Sequence, residues 1–131
     1  MKERLKNNSA FFIMRVSLGV IFLAFGIGKF QNDIWAETIK GMGFFQNLPW
    51  NVNLSVVLIG TMEVLTGVAF IIGLFTRFFA ALAAVQLAGI LILLKFQEIR
   101  DIGLLAMAVY MAIVDNPVFA IDRLWRKNKE K

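Results

Sequence analysis

The chain of 131 residues contains neither cysteine nor histidine. Without cysteine, the polypeptide itself can supply no disulfide, thiolate nucleophile or iron–sulfur ligand, and the sequence does not reveal the redox state of its compartment. Without histidine, it lacks the usual ligands of haem and copper and the side chain best suited to moving protons near neutral pH. The sequence therefore argues against redox chemistry by this chain alone, and no haem, iron–sulfur or metal ligands are evident.

Apolar residues are too abundant for a soluble domain of this size. They make up 59% of the chain, which includes thirteen phenylalanines, and the mean hydropathy is +0.71. Four apolar stretches are each near the roughly 20 residues that a helix needs to cross a bilayer. They cover about residues 10–30, 53–75, 77–94 and 102–121. We predict an all-α fold, an integral membrane antiparallel four-helix bundle forming one domain over residues 1–131.

The first stretch also has to be compared with a cleaved signal peptide, because it follows a short basic segment. Its apolar core is longer than the roughly 7–15 residues of a signal peptide, and no clear cleavage site of small residues follows it. A spanning helix is therefore the prediction for this segment.

The distribution of lysine and arginine predicts the orientation of the bundle. Nine of these residues lie in the two tails and the turn at 76–77, and three lie in segments 31–52 and 95–101. Because basic flanks are retained on the cytoplasmic side, we expect both termini to be cytoplasmic. The basic tail is typical of a membrane-surface anchor rather than of a nucleic-acid site, so no nucleic-acid partner is expected.

The segment between the first two spans, residues 31–53, is the one long connection. Its apolar residues recur at helical spacing, which predicts a short helix lying in the membrane interface on the non-cytoplasmic side. Trp35, Phe45 and Trp50 are the aromatic residues that we single out here. The favoured interpretation is an anchor in the aromatic belt, and the alternatives are a lid over a ligand or a surface that docks a partner.

Four charged residues, Arg15, Lys29, Glu63 and Asp115, lie within the apolar stretches. A charge near the bilayer centre costs roughly 3 kcal/mol even on lenient insertion scales, so these side chains are expected to face one another inside the bundle. In the first span, the residues that share a helical face with Arg15 and Lys29 are Gly19, Phe22 and Gly26. Glycines of this face and of the Gly60, Glu63, Gly67 set would allow two backbones to approach closely around the charges.

Depths follow from the helical rise of about 1.5 Å per residue. Arg15 and Asp115 come out at the same depth and are natural partners, whereas Glu63 lies nearer the middle, with Gln86 and Tyr110. Glu63 is roughly 10 Å in height from Arg15 and Lys29, so the sequence predicts no clear counter-ion for it. The charges either form a ligand site or form a satisfied polar network that fixes the register of the bundle.

Three segments carry a resemblance to the DoxX family of small membrane proteins. They are RVSLGVIFLAFGIGKF, IGTMEVLTGVAFIIGLFTRFFAALAAVQLAGIL and the closing DNPVFAIDRLW. The most specific elements are three: the R-x-x-L-G-x-x-F-L-x-x-G motif that begins at Arg15 with the following Lys29, the Glu63 of M-E-x-x-x-G, and the G-L-x-T-R turn at residues 73–77. The resemblance implies a four-helix membrane fold, a prokaryotic cytoplasmic membrane, and functional roles for Arg15, Lys29 and Glu63.

The resemblance also implies a class of function, since the family is mostly grouped with membrane oxidoreductases. The first hypothesis is a quinone-linked subunit. In it Arg15 or Lys29 holds a quinone oxygen or an anionic substrate, and Glu63 delivers a proton through Tyr110 or water. Gln86 and Asp115 complete the expected ligand site. Electrons must come from a cofactor or a partner redox protein, because the chain has no suitable ligands.

Two other hypotheses remain open. A non-catalytic assembly factor, chaperone or scaffold would grip another membrane protein through segment 31–52 and the small-residue faces of the second and third spans. A small transporter or channel is less favoured, because four short helices enclose little lumen unless the chain forms a homo-oligomer.

Overall fold

The computed structural model describes residues 1–31, 34–95, 99–114 and 121–129, apart from the side chains of Leu5, Asp122, Arg123, Trp125 and Arg126. All the regular structure in these ranges is helical. The helices are α1 (Lys2–Phe30), α2 (Ile34–Gly41), α3 (Gly43–Gln46), α4 (Val52–Ile72), α5 (Thr76–Leu93), α6 (Ile99–Ile113) and α7 (Ile121–Lys129).

The tightest packing joins α1 to α4, which run antiparallel. Gly19 of α1 lies against Gly67 of α4, and seven residues further along α1, Gly26 lies against Gly60. A Cβ atom built on Gly67 would lie only 2.7 Å from the carbonyl oxygen of Gly19. The two backbones are therefore in direct contact, as the glycine spacing predicts, because glycine has no side chain to hold the helices apart. We call this contact the glycine seam.

A three-residue turn joins α4 to α5. Gly73 ends α4 with a φ of 72°, and the amides of Gly73 and Leu74 both donate to the carbonyl of Ala69, at 2.8 and 2.9 Å. Glycine suits this left-handed position because it has no Cβ atom. Helix α5 then returns antiparallel to α4 and packs closely on α6, where Arg77 Nε donates to the carbonyl of Ala112 at 3.1 Å.

The core lies between α1, α4, α5 and α6. It is built from large apolar side chains of α1 and α4 and from both alanines and larger residues of α5 and α6. Among these, the fully buried ones are Leu18, Phe70, Ala80, Ala83, Ala108 and Met111. The outer faces are also apolar, with Val85 of α5 70% exposed and Ile13 of α1 62% exposed. Such surfaces are unusual in a soluble monomer but are what lipid-facing helices require.

Three helices in the described ranges are long and apolar enough to cross a bilayer: α1, α4 and α5. These correspond to the first three predicted spans, although α1 begins at Lys2 and so carries the basic segment on its first turns. The predicted fourth span, at about residues 102–121, agrees less well with the helices of the structure. Helix α6 starts earlier, at Ile99, ends at Ile113 and is about 22 Å long at the standard rise. Residues 115–120 of that prediction lie outside the described residues.

The predicted short helix between the first two spans corresponds to two helices, α2 and α3. Ala36 and Ile39 of α2 pack on Val56 of α4 in a small second core, against which Phe45 of α3 also lies. Helix α2 thus sits against the ends of α1 and α4, close to the C-terminus of α1.

Candidate functional site

A buried ion pair joins α1 to α4 beside the glycine seam. Lys29 Nζ donates to a carboxylate oxygen of Glu63 at 2.6 Å, and the two side chains are 5% and 4% exposed. Charged residues as buried as these are retained only when they are paired, because isolated burial is very costly. Lys29 and Glu63 therefore form a buried, paired set of opposite charges in the described part of the bundle.

The prediction that Glu63 lacks a clear counter-ion was wrong. The estimate compared positions along the helix axes alone, but side chains on a helix tilt toward its N-terminus. In antiparallel helices this tilt directs Lys29 and Glu63 toward each other. The seam at Gly26 and Gly60 brings the backbones close enough for the two side chains to meet.

A small cavity lies beside this ion pair and extends between α1, α2, α5 and α6. Its volume is about 30 Å³, which is enough for one or two water molecules. The residues lining it are Phe22, Phe25, Lys29, Trp35, Glu63, Gln86, Leu87, Ile90, Arg100 and Asp101. Of the predicted ligand residues, the structure therefore brings Lys29, Glu63 and Gln86 together.

Arg100 and Asp101 are functional candidates that the sequence reasoning missed. The predicted fourth span began at residue 102, whereas α6 begins at Ile99 and so places both residues in its first turn. The Asp101 carboxylate is only 6% exposed, and its Oδ1 lies 3.5 Å from Arg100 Nε. An adjacent arginine and aspartate directly before an apolar run was the available signal, because such a pair can belong to the end of a span rather than to a loop.

The Arg100 guanidinium is held by aromatic rings. Its Cζ atom lies 5.4 Å from the ring centroid of Phe25 and 5.3 Å from that of Trp35, within the range of cation–π attraction. The Phe25 and Trp35 rings also contact each other edge to face, with centroids 5.8 Å apart. Trp35, which we expected in the aromatic belt, instead lines the cavity and connects α2 to α1 and α6.

Gln86 of α5 completes the polar lining. Its side-chain carbonyl oxygen Oε1 is shielded from solvent, and within the described ranges it has no hydrogen-bond partner. The hydroxyl of Thr66 on α4 is in the same condition, but Thr66 does not line this cavity.

Arg15 is fully buried but does not line this cavity. It lies two seven-residue steps before Lys29 on the same inward face of α1, and its guanidinium is 5.5 Å from the Phe12 ring centroid. The whole predicted face, Arg15, Gly19, Phe22, Gly26 and Lys29, is buried, which confirms the periodicity argument. The expected partner of Arg15, Asp115, lies outside the described residues.

The remaining predicted residues lie away from the cavity. Tyr110 is 50% exposed and packs on Phe11, with ring centroids 6.4 Å apart, so it is not placed to relay protons to Glu63. Phe45 belongs to the second core. Trp50 is half-exposed and its indole Nε1 donates to the hydroxyl of Ser55 at 2.9 Å, which fixes the start of α4.

The fold and this site define an integral membrane protein with a charge-lined cavity inside its helical bundle. A model of the DoxX family matches residues 10–96. The chain belongs to the DoxX family, as the sequence motifs predict. The match includes most of α1 and all of α2 to α5, and therefore every lining residue of the cavity except Arg100 and Asp101. No curated protein and no solved structure is significantly similar to the chain.

Proposed function

We propose that this protein is the membrane subunit of a quinone-linked oxidoreductase, and that the cavity beside Lys29 holds the ring of the quinone. One observation carries the proposal: side chains of both charges converge on one aromatic-lined cavity inside a lipid-facing bundle. Ionisable residues at such positions are expensive and typically serve substrate or proton pathways. The aromatic walls favour a flat, apolar ring, and the charges favour polar atoms on that ring.

The balance of charge favours a neutral ligand. Lys29 and Arg100 contribute two positive charges to the lining, and Glu63 and Asp101 contribute two negative ones. An anionic substrate would leave the lining and its ligand with a net negative charge, whereas a quinone or a quinol would not, although Arg100 is half-exposed. Of the two ligands that the sequence suggested for Lys29, the quinone oxygen is therefore the better fit.

The size of the cavity requires the site to open. A volume of about 30 Å³ holds water but not a ring. Trp35 is the lining residue contributed by the short helix α2, and its ring contacts both Phe25 and Arg100, at a place that a flat ligand ring could take. We therefore expect ligand binding to displace Trp35 and to replace its contacts with equivalent ones.

The protein's part in the reaction is to bind and orient the ring and to exchange protons. Oxidation of a quinol gives the quinone, two protons and two electrons. Glu63 and Asp101 are the carboxylates that line the cavity, and they would accept the protons. The electrons need a partner redox protein that carries a metal or flavin centre, because this chain has no cysteine or histidine to hold one.

Quenching of Trp35 fluorescence tests the binding step. In a Trp50→Phe, Trp125→Phe background, Trp35 is the one remaining tryptophan of the chain. In lipid nanodiscs, decylubiquinone and a menaquinone analogue should quench it saturably. Glu63→Gln should weaken the quenching at least tenfold, while the matched exposed carboxylate variant Glu37→Gln should leave it unchanged.

A second variant separates loss of binding from loss of folding. Replacing both Lys29 and Glu63 with Met removes the two charges together and keeps apolar volume, which buried ion pairs often tolerate. If this folded double variant, or Glu63→Gln, still binds with wild-type affinity, the ion pair is not part of the ligand site. If the wild-type protein shows no saturable quenching by either compound, the proposed function is wrong.

An assembly or chaperone role is the second candidate, and one observation favours it. Large apolar residues of the α2–α3 segment project outward, with Ile34 76% and Phe44 58% exposed. A partner membrane protein or a second copy of the chain would cover them. Native mass spectrometry after gentle solubilisation separates the two candidates, because retention of a stoichiometric membrane partner without quinone favours assembly.

The proposal also includes the complete membrane arrangement. Helix α6 would be the fourth span, so that the four helices form an antiparallel bundle with both termini in the cytoplasm of a prokaryotic cell. The distribution of basic residues supports this orientation, because the chain ends carry most of them. Helices α2 and α3 would then lie at the opposite, non-cytoplasmic surface.

A further inference from the structure

The cavity lining contains a hydrogen-bond acceptor that no donor of the described residues satisfies. Gln86 Oε1 is shielded from solvent and accepts no hydrogen bond from any residue in the described ranges. A buried carbonyl oxygen without a donor destabilises a protein, so such atoms are rare and call for a ligand or an ordered water. Gln86 lines the same cavity as the ion pair.

Asp101 is the second under-used acceptor. Residue Asp101 is 4% exposed, and the contact that the structure shows for its carboxylate, to Arg100 Nε, is long at 3.5 Å. By contrast, the Lys29 ammonium already donates at 2.6 Å to Glu63. Arg100 stacks on the Phe25 and Trp35 rings. The Gln86 and Asp101 side of the cavity therefore needs hydrogen-bond donors.

From this arrangement we propose that a hydroxyl group of the ligand donates its hydrogen to Gln86 Oε1 or to the Asp101 carboxylate, and that the cavity therefore binds a hydroquinone in preference to the corresponding quinone. This inference rests on the proposed function and specifies the redox form that the site selects. A quinone offers only carbonyl oxygens, whose lone pairs would face those of Gln86 and Asp101. A hydroquinone has the same ring and supplies the missing O–H donors.

Water has the same donor chemistry and fits the cavity volume of about 30 Å³. In the resting protein a water molecule can satisfy both acceptors, and the hydroxyl of the hydroquinone would replace it. The two sources are distinguishable, because only a ligand hydroxyl makes the affinity depend on the redox state of the ring.

Anaerobic equilibrium binding of decylubiquinol and decylubiquinone to the protein in nanodiscs tests the inference. Bound and free forms are separated by ultrafiltration and quantified by chromatography, so one assay serves both redox states. The wild-type protein should bind the quinol about tenfold more tightly than the quinone, as expected for one additional hydrogen bond. Gln86→Met keeps the length of the side chain but removes the acceptor, and should weaken quinol binding about fivefold to tenfold while changing quinone binding little.

Gln31→Met is the matched control, because Gln31 is exposed at the end of α1, and it should change neither affinity. Equal affinities of the wild-type protein for the two forms, unaltered by Gln86→Met, would overturn the inference and leave the proposed function standing. In that case Gln86 holds water alone. Binding of neither form to the wild-type protein would overturn both proposals. If Gln86→Met does not fold, Asp101→Leu removes the second acceptor and provides the same comparison of the two redox forms.

Discussion

The glycine seam makes a sharp prediction about packing, because two glycines on the same face of α4 differ in the space around them. A Cβ atom at Gly67 would lie 2.7 Å from both Gly19 O and Leu23 N. At Gly60 the nearest atoms, Gly26 O and Lys29 Cβ, would be 3.3 Å away. Alanine at Gly67 therefore collides with backbone, whereas alanine at Gly60 needs a shift of only a few tenths of an ångström.

The expected energies follow from these distances. Carbon atoms pack best at about 3.5–4.0 Å, so Gly67→Ala must move α1 away from α4 by roughly 0.5–1 Å. Overpacking of this kind costs about 1–3 kcal/mol, and the gain in helix propensity of about 1 kcal/mol from glycine to alanine offsets part of it. We expect Gly67→Ala to destabilise the protein by about 1–2 kcal/mol and Gly60→Ala to be neutral or slightly stabilising.

Reversible unfolding in mixed micelles, followed by circular dichroism against the fraction of SDS, measures both variants under the same conditions. Equal stabilities of Gly60→Ala and Gly67→Ala would refute the reasoning, because the two differ in local clearance and not in the substitution made. A larger loss at Gly60 would show that the register of the seam is different from the one described.

Two further predictions concern the ion pair and the orientation. Glu63→Gln leaves the Lys29 ammonium buried without its carboxylate and should lower the free energy of unfolding by about 3 kcal/mol or more. Glu37→Gln, at an exposed pair, should lower it by less than about 1 kcal/mol. The same SDS titration measures both variants, and similar losses would contradict the burial argument. Since the chain has no native cysteine, single Glu37→Cys and Asn128→Cys variants report topology directly. In intact cells an impermeant maleimide should label the first and not the second, and the opposite pattern would reverse the proposed orientation.

Local periodicity was enough to predict the inward face of α1. The alternating steps of three and four between Arg15 and Lys29 place these residues on one side of a helix regardless of what packs there. Burial of that entire face confirms the argument. The glycine contacts between α1 and α4 were equally predictable, because a buried face that carries glycines allows close approach.

Two features of the site could not be predicted from the sequence: the direction in which side chains point from their helices, and the residues at which the helices begin and end. Counting heights along the helix axes left Glu63 without a partner, and only the tilt of side chains in two antiparallel helices brings Lys29 to it. Asp101 was missed because the predicted span began one residue later. The position of Trp35 depends on its contact with Arg100, which is distant in sequence, so an amphipathic pattern alone could not distinguish the cavity from the membrane interface.

Whether the charged residues of the cavity serve a function or only stabilise the packing can be judged from how well its polar groups are hydrogen-bonded. A purely structural network gains its stability when every member is satisfied, since each unmet buried group weakens it. The Lys29–Glu63 pair alone would suit that role. Gln86 Oε1 and the Asp101 carboxylate do not, because the first has no donor among the described residues and the second has one long contact. Two poorly satisfied acceptors beside a well-formed ion pair are what a site keeps for a ligand that donates, and this asymmetry favours a binding function over a structural one.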